Sequence, residues 1–447
     1  TRVRSSAASD VYKRQPMTPS PSIPSLPERC DVLVVGAGPA GSACAQWLAQ
    51  QGRQVLLVDQ HAFPRDKVCG DGLIPDAHTA FQRLGVLEEV MTAALRATHV
   101  GCIAPSGGRV DVPGRLAVLP RRELDDILCR SAIRAGAQFA APVRFDAPLL
   151  DADGRVCGAR LKAGGGLHEV AARWVVLATG AVPQAMIASG LNDRRTPSGV
   201  ALRGYVRNPA MVGRITALEV VWHKRLSRGY GWIFPAPDGV FNIGVGLAHS
   251  HGKGNDGRQT MADVNLREMF DTFCDFYPPA RDLMATGERL GDLKGAPLRC
   301  SLEGARLSRP GLLATGEAVG STYAFTGEGI GKAMETGILA AEALLPTTLP
   351  AAAAPGSAQA APGVAAAADA QARQRYEAAI EALRPRFALY ERANKVNDHP
   401  WIADLLIWRG RKSPRILNRM KAVLEETGNP GNLVSVRGIV RLFVPIS

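Results

Sequence analysis

The chain contains three closely spaced glycines followed, after a helix-length stretch, by an acidic residue. Gly36, Gly38 and Gly41 lie between an apolar run of strand length and the start of that stretch. Glycine here allows a tight turn, lets the backbone approach a pyrophosphate and lets the helix pack closely on its strand. The unpaired N–H groups of the helix N-terminus favour phosphate charge, and Asp59, which ends a second apolar run, can accept hydrogen bonds from ribose hydroxyls. The pattern predicts a βαβ unit that binds a dinucleotide.

Three aromatic residues alternate along a second predicted strand. Tyr230, Trp232 and Phe234, in the sequence GYGWIFP, point to one face because the side chains of a strand alternate with period two. Two interpretations fit this pattern. The face is either an aromatic wall for a long apolar substrate or the packed inner side of a sheet.

The rest of the chain supplies the elements that must position these residues. The run from Trp174 to Ala178 is wholly apolar, as in a strand buried on both faces of a parallel sheet. Residues 199–247 show the pattern of an antiparallel sheet, which we expect to form a substrate domain. Residues 312–345 form a strand, a glycine-rich loop and a helix that return to the nucleotide domain. The predicted class is α/β, with a Rossmann-like nucleotide-binding domain, an antiparallel substrate domain and a C-terminal helical region.

Composition and periodicity also predict the domain boundaries. These are a disordered extension over 1–29, the nucleotide-binding domain over 30–195 with 95–120 contributing to the substrate domain, the substrate domain over 196–300, the return segment over 301–346, a low-complexity linker over 347–374 and C-terminal helices over 375–447. We expect the C-terminal helices to break at prolines, namely Pro385, Pro400, Pro414 and Pro430.

Composition narrows the classes of function. The chain has 447 residues and a formal net charge of +12 but no nucleic-acid-binding motif, so we expect no nucleic-acid partner. Eight scattered cysteines, without a C-x-x-C pair or a Cys/His cluster, favour a reducing, cytoplasmic compartment and predict no metal. No apolar stretch is long enough to predict a transmembrane helix. Trp401 and Trp408 stand among Arg and Lys residues near the C-terminus, which fits either a basic helical cap or contact with an anionic membrane surface.

The motifs of the chain, taken in order, resemble one flavoprotein family. GAGPAG, FPRDKVCGDG, RRELDDIL, VVLATGA, GYGWIFP and TGEA followed by TGEGIGKAMETG occur in the order found in geranylgeranyl reductases, which belong to the class folded like p-hydroxybenzoate hydroxylase. The resemblance runs from Cys30 to about Leu345 and, more weakly, through the C-terminal helices. It implies that the bound dinucleotide is FAD.

The resemblance also implies which residues hold the cofactor. Arg121 would approach the FAD, whereas without the family pattern it fits a surface charge on a helical turn. Glu317 stands where relatives usually have Asp, and the backbone N–H groups of the loop around Glu328 would stabilise the anionic reduced flavin. The implied FAD-binding residues are Gly36, Gly38, Pro39, Ala40, Gly41, Asp59, Arg121, Gly180, Gly316, Glu317, Gly327, Gly329 and Ile330.

The implied reaction is the reduction of C=C bonds in a prenyl chain by reduced FAD. The substrate would be an isoprenoid lipid or a prenyl diphosphate. Because no second nucleotide fingerprint is present, FAD would be re-reduced by transiently bound NADPH or by an electron-donor protein such as reduced ferredoxin. The implied catalytic residues are Cys69, Tyr230 and Trp232. Cys69, in a Lys-Val-Cys-Gly motif, is either a polarizable neighbour of the flavin and weak proton donor or a buried structural thiol.

Two other functions stay open. A monooxygenase or halogenase shares the same fold, and GYGWIFP partly matches the halogenase pattern W-x-W-x-I-P, with Tyr230 in place of the first Trp. A flavin-containing membrane-surface or binding protein without turnover is the other alternative, because Glu317 and the flavin loop depart from the family pattern. In each case we expect a cytoplasmic protein, with peripheral contact at the membrane surface only under the second interpretation of the C-terminal helices.

Overall fold

Two β-sheets and the helices packed on them form the part of the chain that the computed structural model describes. The described residues are 26–193, 196–226, 228–248, 264–346 and 362–431. Most of the predicted N-terminal extension, 1–29, lies outside these residues, and the first strand begins at Arg29.

The first sheet carries the predicted βαβ unit. Its strands are β1 (Arg29–Val35), β2 (Val55–Val58), β6 (Gln138–Ala140), β7 (Arg144–Leu150), β8 (Val156–Ala163), β9 (Gly166–Leu177), β16 (Ser308–Arg309) and β17 (Leu312–Ala314). The order is β16-β17-β9-β1-β2-β6, and β8 pairs with β9 and β7. Strands β17, β9, β1, β2 and β6 pair in parallel. The end of β9, from Trp174 to Leu177, is fully buried, as its unbroken apolar pattern predicts.

The second sheet forms the opposite side of the molecule. Its strands are β3 (Gly72–Leu73), β4 (Leu95–Ile103), β5 (Arg109–Val118), β10 (Gly199–Arg207), β11 (Leu218–Val221), β12 (Gly229–Pro235), β13 (Val240–Ala248), β14 (Glu288–Arg289) and β15 (Lys294–Leu298). The expectation of a wholly antiparallel sheet is wrong in one place, since β11 pairs with β4 in parallel. The two strands come from distant parts of the chain, so no hairpin turn forces them to run in opposite directions.

Helices pack on both sheets. They are α1 (Pro39–Gln50), α2 (Pro75–Arg83), α3 (Leu87–Ala93), α4 (Arg121–Arg134), α5 (Gln184–Ala188), α6 (Leu266–Phe276), α7 (Pro278–Thr286), α8 (Ile330–Leu344), α9 (Pro362–Ala393), α10 (Lys395–Asp398), α11 (Trp401–Lys412) and α12 (Pro414–Leu424). Helices α1 and α8 approach closely, since a Cβ at Gly337 would lie 2.2 Å from the Ala40 carbonyl oxygen.

The long helix α9 departs from the sequence-based boundaries. It begins inside the stretch predicted as a linker and continues through Pro385, where a break was expected. Tyr376, Ile380 and Phe387 lie on both sides of that proline and are buried in the main core. We attribute the continuity to this packing, because tertiary contacts outweigh local helix propensity. Pro400 and Pro414 do lie at helix starts, and no helix in the described ranges is long and apolar enough to cross a membrane.

Candidate active site

One large cavity lies between the two sheets. It has a volume of about 1100 Å³ and extends from the glycine turn after β1 to the C-terminal helices. Its walls include the predicted residues Gly36, Gly38, Asp59 and Arg121 at one end, the aromatic face of β12 further along and side chains of the C-terminal helices at the other end. Chain segments far apart in sequence therefore meet around a single space.

The glycine turn has the shape that a dinucleotide requires. Gly36 has φ +102°, and a Cβ there would lie 2.3 Å from the Ala178 carbonyl oxygen. A Cβ at Gly41 would lie 1.8 Å from the Gly36 carbonyl oxygen, so the helix can start here only without a side chain. At Gly38 a Cβ would instead face the cavity, with the Arg65 and Arg121 guanidinium groups as its nearest neighbours at 3.7 and 3.9 Å.

Two carboxylates, those of Asp59 and Asp125, hold polar groups in place at this end of the cavity. Asp59 accepts hydrogen bonds of 2.9 Å from the N–H groups of Ala37 and His61, which fixes its carboxylate beside the glycine turn. Arg65 donates to Asp125 at 2.9 Å and reaches Asp59 at 3.4 Å. Two guanidinium groups thus face the space next to a helix N-terminus, an arrangement that suits a pyrophosphate.

Arg121 is buried, which excludes the surface-charge interpretation of this residue. It is 7% exposed and makes two hydrogen bonds, of 2.6 and 2.8 Å, to the Asp125 carboxylate one turn later on α4. Burial alone would lower the pKa of Arg121, but Asp125 more than offsets this and the pKa is raised. The family pattern therefore marks a fixed positive charge at the cavity wall.

The return segment brings a second glycine-rich loop to the cavity. Gly316 packs against α1, where a Cβ would lie 2.6 Å from the Ala40 Cβ, and Glu317 lies 4.0 Å from the Lys67 ammonium group. Gly327, at φ +70°, leads through Gly329 into helix α8. The first N–H groups of a helix have no partner inside it, so this loop can present donors to a ligand in the cavity. Gly180 and Ile330 also line the cavity.

Tyr230 joins the aromatic face of the second sheet to this loop. Its hydroxyl donates a hydrogen bond of 3.0 Å to the Thr326 carbonyl oxygen, and a Cβ at Gly327 would lie 2.6 Å from that hydroxyl. The rings of Tyr230, Trp232 and Phe234 follow one another at centroid distances of 6.2 and 6.5 Å, and all three line the cavity. The face is thus both a packed surface and a wall of the space.

Cys69 lies in a loop held by a buried polar network. Asn242 donates to the Cys69 carbonyl oxygen at 2.8 Å and to the Asp71 carboxylate at 2.7 Å, and it accepts a hydrogen bond of 2.9 Å from the Trp232 indole. Burial raises the pKa of the Cys69 thiol, with Arg121 opposing the shift. A raised pKa keeps the group a thiol at neutral pH, and the thiol has no disulfide partner.

Asp71 is a site feature that residue types alone did not reveal. It has φ +64°, a conformation usually left to glycine, and its buried carboxylate accepts hydrogen bonds from Tyr205 and Asn242. Burial raises its pKa to about 6, although the Tyr205 hydroxyl lowers it. The motif FPRDKVCGDG, which contains Cys69, also contains Arg65 and Asp71. It was the one sequence feature that could have pointed to these two residues.

The far end of the cavity is apolar and is completed by the C-terminal helices. Side chains of β4, β5 and β11 meet those of α11 and α12 there, and the lining includes Val100, Val112, Leu218, Val220, Leu406, Ile407, Met420 and Leu424. We call these eight residues the apolar lobe. The sequence suggested a basic cap for this region and gave no sign that its inner face closes a cavity.

Comparisons with known proteins agree with this geometry. The family model for the FAD binding domain matches residues 29–205. The chain is 35% identical over 332 residues to the menaquinone reductase of Mycolicibacterium smegmatis, covering 70% of this chain and 76% of the relative. It is 29% identical over 317 residues to digeranylgeranylglycerophospholipid reductase 1 of Methanopyrus kandleri, covering 70% and 79%.

Solved structures show the same fold. A geranylgeranyl bacteriochlorophyll reductase-like protein of Thermoplasma acidophilum superposes with a TM-score of 0.63 at 20% identity, covering 94% of this chain and 96% of the other. A flavin-dependent brominase superposes with a TM-score of 0.65 at 19% identity, covering 93% and 97%. The predicted α/β flavoprotein fold is confirmed, and the glycine turn, the paired arginines and the second glycine loop fit FAD. The chain therefore belongs to the geranylgeranyl reductase family of FAD-dependent oxidoreductases.

Proposed function

We propose that this enzyme reduces C=C bonds in the isoprenoid chain of a lipid. The observation that carries the proposal is the position of the apolar lobe, which continues from the aromatic wall of β12 at the second glycine loop. A long apolar chain in the lobe would run past Tyr230 and Trp232 toward that loop. Burying such a chain is favourable at about 25 cal/mol per Å² of apolar surface, so the lobe can both bind and align it.

The residues at the glycine turn would hold the FAD, and FAD supplies the hydride chemistry when it is bound. Gly38, Arg65 and Arg121 would bind the pyrophosphate, and Asp59 would bind the ribose. The N–H groups of the loop before α8 would favour negative charge on the ring. An isolated alkene has no carbonyl to delocalise charge, so a proton must arrive together with the hydride in a site that excludes water.

Two side chains at the cavity can hold that proton. Tyr230 keeps its hydroxyl proton at neutral pH because burial raises its pKa, but it donates the proton to the Thr326 carbonyl oxygen. Cys69 also stays protonated, and none of the described hydrogen bonds uses its thiol proton. We therefore assign proton donation to Cys69 and positioning of the loop to Tyr230. The Trp232 indole N–H is occupied by Asn242, which leaves the ring to contact the substrate chain.

A lipid quinone with an isoprenoid side chain is the first substrate to test. The menaquinone reductase relatives are 34–35% identical to this chain, whereas the digeranylgeranylglycerophospholipid reductases are 26–29% identical. The electron donor would be NADPH bound transiently or a reduced ferredoxin. The rate of anaerobic flavin reduction by each donor in turn, without lipid, identifies which one is used.

The deciding experiment is an anaerobic turnover. The holoenzyme is reduced and mixed with menaquinone or with a digeranylgeranyl glycerophospholipid, and the flavin spectrum and the lipid mass are followed before and after air is admitted. We expect reoxidation without oxygen and a gain of two hydrogens per reduced bond that persists in air. Hydrogens added to the quinone ring are lost in air, so a gain that disappears would instead indicate ring reduction.

Two variants of α12 provide the matched pair for this experiment. Met420 lines the apolar lobe, and Arg419, its neighbour in sequence, is exposed. Met420→Trp should fill the lobe and slow lipid reduction at unchanged FAD content, and Arg419→Trp should behave as the wild type. Equal rates in both variants would place the lipid elsewhere.

A monooxygenase or halogenase is the second candidate function. The observation in its favour is the fold shared with the brominase, together with the partial W-x-W-x-I-P match in β12. In the same experiment this function predicts reoxidation only after oxygen is admitted, with an oxygenated product, or a halogenated one when halide is present. Either product would overturn the reductase proposal.

We also propose that the outer face of α11 contacts an anionic membrane, from which a lipid could enter the lobe. Trp401 and Trp408 are 55% and 44% exposed, and Lys412 lies 4.8 Å from the Trp408 ring. Exposed Trp next to basic residues is typical of helices that lie in a membrane interface. Vesicles containing phosphatidylglycerol should co-sediment with the wild type but less with Trp401→Ala/Trp408→Ala. Leu167→Ala, at a residue that is 58% exposed on β9, is the control and should bind normally.

A further inference from the structure

A cluster of charged side chains lies behind the loop that leads into α8. Its members are Asp76 on α2, Glu328 in the loop, Lys332 and Glu335 on α8, Arg386 on α9 and Glu426 after α12, and the hydroxyls of Tyr323 and Tyr390 face the same cluster. Lys332 is 3% exposed and lies 2.7 Å from Glu335 and 2.8 Å from Glu426. Arg386 lies 2.9 Å from Glu426. Lys332 and Arg386 thus form ion pairs with only two of the four acids, Glu335 and Glu426.

Within the described residues, no ion pair joins either of the other two acids to a base, although Lys332 interacts electrostatically with Asp76. Asp76 lies against the first turn of α8, where a Cβ at Gly331 would be 2.1 Å from its Oδ2 atom. The Ala77 N–H approaches this carboxylate, but neither buried oxygen makes a hydrogen bond of normal geometry within the described residues. Glu328 is flanked by Gly327 and Gly329, and it interacts electrostatically with Asp76 and Glu426. The described cluster therefore holds two acids that lack ion pairs and lie close to each other.

Charge counting argues against full ionisation of this pair. If all four carboxyls were charged, they would outnumber the two bases, and the surplus would reside on Asp76 and Glu328. Buried charges without partners are costly, and neighbouring carboxyls relieve the cost by sharing protons. Burial raises the pKa of Asp76 to about 7, with Lys332 opposing and Glu426 and Glu335 reinforcing the shift. Burial, Asp76 and Glu426 raise the pKa of Glu328 well above its usual value, with Thr326 and Lys332 opposing the shift.

The pair lies at the loop that lines the cofactor end of the cavity. Glu328 belongs to that lining, and the N–H groups of its loop would face the flavin. Reduction of a flavin adds negative charge on the cavity side of the loop. That charge raises the affinity of nearby carboxylates for protons. One of the two carboxyls is already protonated while the flavin is oxidised. The other carboxyl is therefore the one that binds a proton when the flavin is reduced.

We propose that Asp76 and Glu328 form a proton-binding site that takes up one proton from solvent when the FAD is reduced. For each turnover, two electrons and one proton pass from the reductant to the flavin, and one further proton passes from water to the carboxylate pair. The pair returns this proton when the flavin is oxidised. The inference depends on FAD binding and not on the identity of the lipid substrate.

The test measures the flavin reduction potential against pH between 7 and 9. The holoenzyme is titrated with a chemical reductant in the presence of a reference dye, without lipid. One extra proton per two electrons makes the potential fall more steeply, by up to about 30 mV per pH unit. Asp76→Asn and Glu328→Gln should each lose this extra slope. Glu342→Gln, at a partly exposed residue on the same helix that pairs with Arg83, should keep it.

A second measurement uses the wild type and does not depend on variant folding. The infrared difference spectrum between reduced and oxidised holoenzyme should show the carbonyl stretch of a newly protonated carboxyl, which shifts in D₂O. Loss of this band in Asp76→Asn supports the assignment. Equal slopes in the wild type and both variants, or no carboxyl band in the wild type, would overturn the proposal. Neither readout involves the isoprenoid reaction, so failure here is distinct from failure of the proposed function.

Discussion

The two ends of the cavity are built on different principles. At the cofactor end, Gly36, Gly38 and Gly41 lie within one βαβ unit. A Cβ at Gly36 or Gly41 would lie 2.3 or 1.8 Å from a backbone oxygen, whereas the missing side chain of Gly38 leaves open the space that faces the cavity. At the other end the apolar lobe combines side chains of three strands and two C-terminal helices. A turn that binds phosphate through its backbone requires particular residues at fixed spacing. An apolar wall requires only apolar side chains of suitable size.

The two ends also differ in how their polar groups are satisfied. Arg65 and Arg121 are paired with Asp59 and Asp125 and still face the space beside the glycine turn. At the aromatic wall the polar atoms are used within the protein, as in the hydrogen bond from Trp232 to Asn242. The cofactor end therefore offers charge to a ligand, while the lobe offers a dry apolar surface. The contrast predicts that variants of the first end change FAD content and variants of the second change substrate use.

The largest effect should come from the buried ion pair of α4. Arg121→Met leaves Asp125 without one of its two bases, and breaking a buried pair costs about 3–5 kcal/mol in the free energy of unfolding. We expect low FAD content as well. The double variant Arg121→Met/Asp125→Leu removes both charges and should recover most of the stability, measured by urea unfolding, without recovering FAD binding. Full recovery of FAD binding would show that Arg121 acts only within the fold.

The glycine turn should separate folding from binding. Gly41→Ala places a Cβ 1.8 Å from a backbone oxygen, and we expect a loss of about 3 kcal/mol, at the upper end of typical overpacking costs. Gly38→Ala has no contact closer than 3.7 Å and should fold normally but bind FAD weakly, because its Cβ occupies the phosphate side. Thermal unfolding of the apoprotein and the ratio of FAD to chain measure the two effects. Normal FAD content in Gly38→Ala would contradict the assigned phosphate position.

The sequence predicted the cofactor end in detail because local rules suffice there. The turn at Gly36, the helix from Pro39 and the buried strand ending at Leu177 all follow from glycine spacing and apolar periodicity. Arg121 was predicted to approach the cofactor only through the family resemblance, because its burial depends on Asp125 and on the packing of α4. Sequence-based site roles for Cys69, Tyr230 and Trp232 stay predictions.

The sequence did not predict what long-range packing decides. The parallel pairing of β11 with β4, the continuity of α9 through Pro385 and the closure of the lobe by α11 and α12 all depend on contacts between distant segments. The Asp76–Glu328 pair is of the same kind, because its acids lie far apart in the sequence. Such features carry no local pattern that periodicity or motif spacing could reveal.

Asp71, which lies between the two ends, should make the free energy of unfolding depend on pH. Its pKa is about 6 in the folded protein and 3.8 when unperturbed, so the unfolded chain releases the proton first as pH rises. The stability contributed by the protonated group is complete below pH 3.8 and is lost as pH passes 6. Relative to Asp71→Asn, the free energy of unfolding of the wild type should fall by about 2–3 kcal/mol between pH 4 and 7. Because the Tyr205 hydroxyl lowers this pKa, Tyr205→Phe should enlarge the fall, and a fall of wild-type size or less would contradict the network.

The smallest effect on stability should come from the contact that joins the two ends. Tyr230→Phe removes the hydrogen bond to the Thr326 carbonyl oxygen but keeps the ring in the wall, so the free energy of unfolding should drop by only about 1 kcal/mol. Trp232→Phe, which loses the bond to Asn242, is the matched variant for an aromatic residue that is not tied to the loop. If Tyr230 positions the loop, its variant should bind FAD less tightly than Trp232→Phe while keeping part of the lipid reduction rate.

If Tyr230→Phe instead abolished reduction at normal FAD affinity, Tyr230 rather than Cys69 would be the proton donor, and the hydroxyl would have to leave Thr326 during turnover. Parallel measurements of the FAD Kd and of single-turnover flavin oxidation in these variants and in Cys69→Ala decide between the two residues.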